Sequence, residues 1–344
     1  MLRVLLLPVA RLILVGGGRI GTVHLNDMMT MPNVHLVAVV EPVEKRRKEM
    51  AAQARCHGYG TLQEALEERE TLKPEGVMIC TPTATHFELV KLSLNAGLPV
   101  FCEKPVAQHT HEVDEVYALA ESKHLPLLCG FQRRFDPSFM KLKKAITDGH
   151  IGQVQIVRTT SRDHPLPSFE FLKTSGGIFH DCCSHDIDVH RWLVGEDPIE
   201  VYAVGKAWFP EIESFNDYDA VVVLLKFPSG ITTTIDLHRN AHYGYDQRIE
   251  VMGSKGMVEA HNHPKTSMVL SNDAGVLADN ISYSFTDRYP EAYKAEVVHF
   301  IDLVRGKGRV PLRVTHQDVR KCGIIADACD KSAHEGKPIA IQYD

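Results

Sequence analysis

Two features of the chain predict an α/β protein with an N-terminal doubly wound sheet and a C-terminal α+β domain carrying a large, mostly antiparallel open sheet. From Arg11 to about Phe131, short apolar runs alternate with amphipathic stretches, the order of a sheet covered by helices on both faces. After Phe131 longer strand-like runs follow one another with only turn residues between them.

The 344 residues suit two domains at roughly 150 residues each, divided here as 11–131 and 132–344. Hydrophobic residues at 44% and charged residues at 24% exclude wholesale disorder and fibrous repeats. The net charge of -6, with Lys and Arg spread along the chain, leaves no basic stripe for a nucleic acid. Cys56, Cys80, Cys102, Cys129, Cys182, Cys183, Cys322 and Cys329 form no CxxC pair and several lie in apolar runs. They read as reduced core thiols in a reducing, cytoplasmic compartment. The apolar N-terminus is interrupted by Arg3, Pro8 and Arg11 and is too short to span a bilayer. Residues 1–10 read as a short extension before the first strand, with a mitochondrial presequence as the alternative.

The strand candidates of the first domain are 11–15, 35–40, 76–80, 99–102 and 125–129, each short, aliphatic and closed by Gly, Pro or a charge. Helical patterns fill the gaps at 19–29, 42–54, 62–69, 86–96 and 112–123. In the last, Val113, Val116, Tyr117 and Ala120 form one apolar stripe, with Thr110 as the expected cap. In the second domain a helix is expected from Pro137 to Ala145, a strand over 154–160 and a helix across 177–193. Strands at 221–227, 231–239, 247–253 and 256–261 read as an antiparallel meander. Two helices close the chain. The first, 290–305, aligns Tyr293, Val297, Phe300, Ile301 and Val304, and the second starts after Thr315, which pairs with Asp318 as a capping box.

Gly16-Gly17-Gly18-Arg19-Ile20-Gly21 matches G-x-G-x-x-G directly after the first strand and opens a helix, the setting that motif needs for a dinucleotide pyrophosphate. Gly16 permits the turn, Gly18 admits the phosphates and Gly21 lets helix and strand pack, while the helix N-terminus offers unpaired N–H groups. Glu41, twenty residues after Gly21 at the end of the next strand, suits both adenosine ribose hydroxyls and repels a 2′-phosphate, which favours NAD. Arg46, with Lys45 and Arg47, softens that preference. Thr81 and Thr83 follow a further strand at the sheet edge where such folds bind ligands, with His86 near enough to join them.

A proton acceptor is the other requirement of hydride transfer from an alcohol. Lys104, in Glu103-Lys104-Pro105 at a strand end, would have a lowered pKa beside a cationic ring. Asp181 and His185 are four apart on the expected helix, so an Asp can orient the His as a base near neutral pH. A buried, capped His–Asp pair is the structural alternative. A metal set of His180, Asp181, His185 and Asp188 is disfavoured, because His180 and His185 lie roughly 140° apart around a helix. No metal is expected.

Taken together, the glycine loop, Glu103-Lys104-Pro105, the segment 130–136 (GFQRRFD) and the Asp181…His185 helix resemble the glucose–fructose oxidoreductase/inositol dehydrogenase/rhizopine-catabolism family over nearly the whole chain from Arg11. The stretches HDIDVHRWLVG (185–195), YGYD (243–246) and DRYPEAYKAE (287–296) are most similar to its inositol 2-dehydrogenases. The resemblance implies a Rossmann domain, an open sheet that assembles dimers or tetramers, and an NAD-dependent polyol dehydrogenase. The implied substrate is a cyclitol or sugar with a secondary hydroxyl, first myo-inositol at C2. scyllo-Inositol, aldoses and trans-dihydrodiols are alternatives, as is a non-catalytic dinucleotide sensor. Carried over, Lys104 polarises the hydroxyl, His185 is the base, and Asp181 supports it and touches substrate. Glu103, Gln132 and Arg133 join the expected cofactor contacts. Arg133, Arg134 and Tyr243 or Tyr245 are expected to line the substrate pocket. Asp163 and His164 bear on which sugar or cyclitol fits.

Overall fold

The computed structural model describes residues 9–306 and 309–344. They divide into two compact units: the first runs to Gln132 and takes in Glu291–Arg320, and the second comprises Arg133–Pro290 with Lys321–Asp344. The targeting question of the N-terminus concerns residues of which 1–8 lie outside the described ones.

The first unit is built on six strands, β1 (Ala10–Val15), β2 (Val34–Val40), β3 (His57–Tyr59), β4 (Gly76–Ile79), β5 (Val100–Glu103) and β6 (Leu127–Gly130). Their order is β3-β2-β1-β4-β5-β6 and all neighbours run parallel. This is the doubly wound arrangement of a Rossmann fold, with its switch point between β1 and β4. Leu12, Ile13, Leu14, Val77, Met78, Ile79 and Phe101 are fully buried, which explains why these strands read as unbroken apolar runs. The helix 110–122 buries Val113, Val116, Tyr117 and Ala120 as expected. Its cap is His109 rather than Thr110, because Glu112 returns to the His109 N–H to complete a capping box.

The second domain expected to run unbroken from 132 to 344 is interrupted: Glu291–Arg320, which hold the helix Pro290–Gly306 from its second residue and the start of the last helix, group with the first unit instead. The apolar stripe explains it. Phe300 packs edge-on to Phe101 at 6.1 Å between centroids, Tyr293 packs edge-on to His24, and His316 stacks on Tyr117 at 4.8 Å.

The second unit contains β7 (Val154–Arg162), β8 (Glu200–Lys206), β9 (Ala220–Lys226), β10 (Thr232–His238), β11 (Asp246–Gly253), β12 (Gly256–Ala260), the separate hairpin β13 (Val269–Asn272) and β14 (Gly275–Ala278), and β15 (Ile339–Ala340). The seven-stranded sheet has the order β12-β11-β7-β10-β9-β8-β15. The expected simple meander is corrected here. β7 inserts between β10 and β11 and pairs parallel with β10, while the remaining pairs are antiparallel. Strands β9 and β10 alternate inward and outward residues, as a sheet with one covered face requires. The helix Ser184–Val194 packs on the covered face, where the two His190 ring nitrogens meet Thr233 and Thr159 hydroxyls at 2.8 and 3.2 Å. The capping box of Thr315 and Asp318 forms as the sequence indicates. Among the described residues no helix is long and apolar enough to cross a membrane.

Candidate active site

The glycine loop leaves β1 and leads into the helix Arg19–Met29. Gly16 has φ 102°, and a Cβ on it would lie 2.5 Å from the Cys80 carbonyl oxygen, so only glycine fits. A Cβ on Gly21 would lie 2.2 Å from the Gly16 carbonyl oxygen, which is why helix and strand approach this closely. Gly18 differs, for a Cβ there meets nothing within 4 Å, and no side chain caps the helix that follows. The loop thus offers open space and uncapped backbone N–H groups at a helix N-terminus, which fits a pyrophosphate. Arg19 is exposed and Ile20 half-buried beside it.

Glu41 is buried at the end of β2 and tied to this loop. Its Oε2 accepts from Gly17 N–H at 2.8 Å and its Oε1 from Val43 N–H at 3.0 Å. Arg46 Nε donates to the Gly17 carbonyl at 3.0 Å and Nη2 to Thr22 Oγ1 at 2.7 Å, while Arg47 donates to the Glu41 carbonyl. Loop, acid and arginine therefore form one hydrogen-bonded cradle suited to the adenosine half of a dinucleotide. Thr81 and Thr83 follow β4 across the switch point, both half-buried, and Thr85 Oγ1 donates to Thr81 Oγ1. His86 is buried, with Nδ1 2.6 Å from the Pro105 carbonyl and Nε2 2.8 Å from the Thr81 carbonyl, and burial lowers its pKa. It pins the segment after β4 to the Glu103-Lys104-Pro105 segment after β5. Glu103 faces inward, where His24 Nε2 meets its Oε1 at 2.8 Å, and Lys104 is half-buried. Gln132 is buried at the end of this unit.

In the second unit the expected continuous α-helix over 177–193 is corrected. Phe179–Cys183 form a π turn that runs into the α-helix Ser184–Val194. Such turns are inserted where a helix must aim side chains off its regular spacing. Gly176 and Gly177, at φ 89° and 84°, lead into the turn, and Asp217 Oδ1 accepts the Ile178 N–H at 2.8 Å. Asp181 and His185 are both half-buried. Asp181 Oδ2 accepts from Arg239 Nη1 at 2.9 Å, and Arg239 Nη2 also reaches Asp217 at 3.1 Å. Arg239 is fully buried, so one guanidinium locks both the entry of the turn and the orientation of Asp181.

Arg133 and Arg134 are more internal than the sequence suggested. Arg133 Nη1 pairs with Asp186 at 2.6 Å and Nη2 reaches Ser161, whereas Arg134 makes a two-pronged pair with Asp188 at 2.8 and 2.7 Å. Tyr243 is exposed and donates to Asp246 at 2.8 Å, while Tyr245 is buried. His164 stacks edge-on against Tyr283, and Asp163 Oδ1 accepts the His164 N–H. Of the residues weighed as metal ligands, His180 pairs with Asp327 and Asp188 with Arg134. Sequence reasoning missed Arg239, His24 and Glu296. The signal for Glu296 was present, for it lies on the apolar stripe of its helix, three residues after Tyr293 and four before Phe300.

A parallel sheet of this order with a glycine-loop cradle at its switch point defines a dinucleotide-binding protein. The chain belongs to the GFO/IDH/MocA family: residues 10–131 match its oxidoreductase NAD-binding Rossmann model and 139–259 its C-terminal domain model. It is an NAD-binding oxidoreductase. It is 38% identical over 330 residues to the inositol 2-dehydrogenase of Rhizobium meliloti, covering 95% of this chain and 98% of that one. It is 31% identical over 340 residues to the scyllo-inositol 2-dehydrogenase (NAD(+)) of Bacillus subtilis, covering 96% of each. The crystal structure of a myo-inositol dehydrogenase from Corynebacterium glutamicum superposes with a TM-score of 0.90 at 32% identity, covering 97% of this chain and 99% of that one.

Proposed function

We propose that the protein oxidises a secondary ring hydroxyl of a cyclitol, myo-inositol at C2, to the ketone. The observation that carries the reading is Asp181 on the π turn, held by the buried Arg239, with His185 half-buried in the first turn of the α-helix that follows. Its support is the similarity to inositol dehydrogenases over nearly the full chain. NAD, when bound at the glycine loop, Glu41, Thr81 and Thr83, supplies the hydride acceptor. The protein's own groups handle the proton. Lys104 donates a hydrogen bond to the substrate hydroxyl and favours its alkoxide character. His185 accepts the hydroxyl proton as the C–H bond gives up its hydride, and Asp181 supports His185 and touches substrate. Arg133 and Tyr243 contribute to cyclitol binding, and Glu103, His86 and Gln132 support the nicotinamide side. Purified protein mixed with NAD or NADP and a panel of myo-inositol, scyllo-inositol, aldoses and trans-dihydrodiols tests this through absorbance of the reduced nicotinamide. Turnover best with myo-inositol and NAD supports the reading; a preference for an aldose or dihydrodiol replaces it, and dinucleotide binding without turnover on any alcohol makes the protein a sensor.

The open face of the seven-stranded sheet is the proposed contact with a second copy. Tyr202 stands opposite Leu224 and Val204 opposite Val222, forming an apolar patch with each residue 38–50% exposed. Sedimentation equilibrium reads the result: Leu224→Lys should shift the protein toward monomer, and a monomeric wild type would contradict the assignment.

A further inference from the structure

Inside the first unit three polar side chains meet in an apolar setting. His24 comes from the glycine-loop helix, Glu103 from the end of β5 and Glu296 from the helix Pro290–Gly306. His24 and Glu296 are fully buried and Glu103 nearly so, and one donor or acceptor atom of each lies within 4.8 Å of those of the other two. His24 Nε2–H donates to Glu103 Oε1 at 2.8 Å. Neither carboxyl oxygen of Glu296 has a hydrogen-bond partner. An ionised carboxylate so placed, beside a second carboxyl group, carries a desolvation cost and a like-charge repulsion together. The ionisable groups that act on it are Glu103 from β5, His24 from the loop helix, and Cys80 just after β4. The nearest lysine of its own helix, Lys294, is turned to Asp27 at 3.9 Å.

We propose that Glu296 is an un-ionised carboxylic acid in the native protein, and that Glu296, Glu103 and His24 together are positioning residues for the strand end that carries Lys104. The placement supports this, since Glu103 is the residue before Lys104 and is largely buried. Burial and the neighbouring Glu103 both push the Glu296 carboxyl well above the usual carboxylate range. The alternative occupant of a His–Glu–Glu set is a divalent metal, which the metal content of the purified protein distinguishes. The positioning part rests on the role proposed for Lys104; the protonation part stands apart from it.

The test compares wild type with Glu296→Gln, a neutral isostere that keeps a donor. An acid whose native pKa is raised stabilises the fold fully below its unfolded pKa of about 4.3, and that contribution is lost as pH rises toward the native value. The ratio of Gln-variant to wild-type folding constants should therefore grow about tenfold per pH unit above that point. Infrared difference spectra should show a protonated carboxyl band at neutral pH that the Gln variant lacks. Glu296→Ala should lower kcat by about 10²-fold through displacement of Lys104, with Gln recovering most of the rate. Parallel stability curves, a missing band, or one equivalent of tightly held metal in purified wild type would each overturn the proposal. Full activity in Lys104→Ala would remove the role of Lys104 and leave the proton linkage of Glu296 intact, so the two failures are distinguishable.

Discussion

Glu41 and Arg46 hold the same residue from opposite sides: the carboxylate takes the Gly17 N–H at 2.8 Å while the guanidinium donates to the Gly17 carbonyl at 3.0 Å. Glu41, the acid proposed to select the cofactor, and the glycine loop are therefore a single mechanical unit. Glu41→Ala should lower the preference for NAD over NADP by about tenfold or more, the scale of a lost hydrogen bond to a charged group. The ratio of kcat/KM for the two cofactors measures it, and an unchanged ratio would place the ribose contact elsewhere.

Lys104→Ala and His185→Ala should each reduce turnover by about 10²–10⁴-fold, as loss of acid–base catalysis does. NAD affinity of the His185 variant, followed by quenching or calorimetry, should change little. Full turnover in both variants would remove these residues from the chemistry.

Arg239 answers to two carboxylates in a fully buried position. Arg239→Ala leaves Asp217 and Asp181 without their counter-charge and should cost about 3–5 kcal/mol of stability. A urea midpoint that falls at constant slope reads this out. A shift under about 1 kcal/mol, the size of a surface pair, would show that the guanidinium is dispensable.

His190 is buried against two threonine hydroxyls, and burial pushes its pKa down to about 3. Its native state binds fewer protons than the unfolded chain, whose histidine titrates near 6.5. Stability from this site is thus complete above about pH 6.5 and is lost as pH falls toward 3. His190→Gln should flatten the acid side of the stability curve, and an equally steep acid limb would refute the assignment.

Much of the first unit was legible in the sequence because its physics is local. A strand buried on both faces needs a continuous apolar run, and the turn at Gly16 needs a residue with no Cβ. The insertion of β7 between β10 and β11 was not legible, since an alternating strand such as Thr232–His238 reads the same beside either neighbour. The return of the helix Pro290–Gly306 to the first unit was hidden for a similar reason: its stripe specifies burial but not the surface that buries it. The π turn at Phe179–Cys183 depends on Arg239, some sixty residues onward, and no spacing within the turn announces that partner. Glu296 was overlooked although its signal is local, a carboxyl on an apolar stripe three residues after Tyr293 and four before Phe300.

The most direct measurement uses myo-inositol deuterated at C2 with NAD. The account predicts that deuterium passes from that carbon to the reduced nicotinamide, with a primary isotope effect on the hydride-transfer step. Reduced nicotinamide free of the label, or no reduction with any cyclitol, would contradict it.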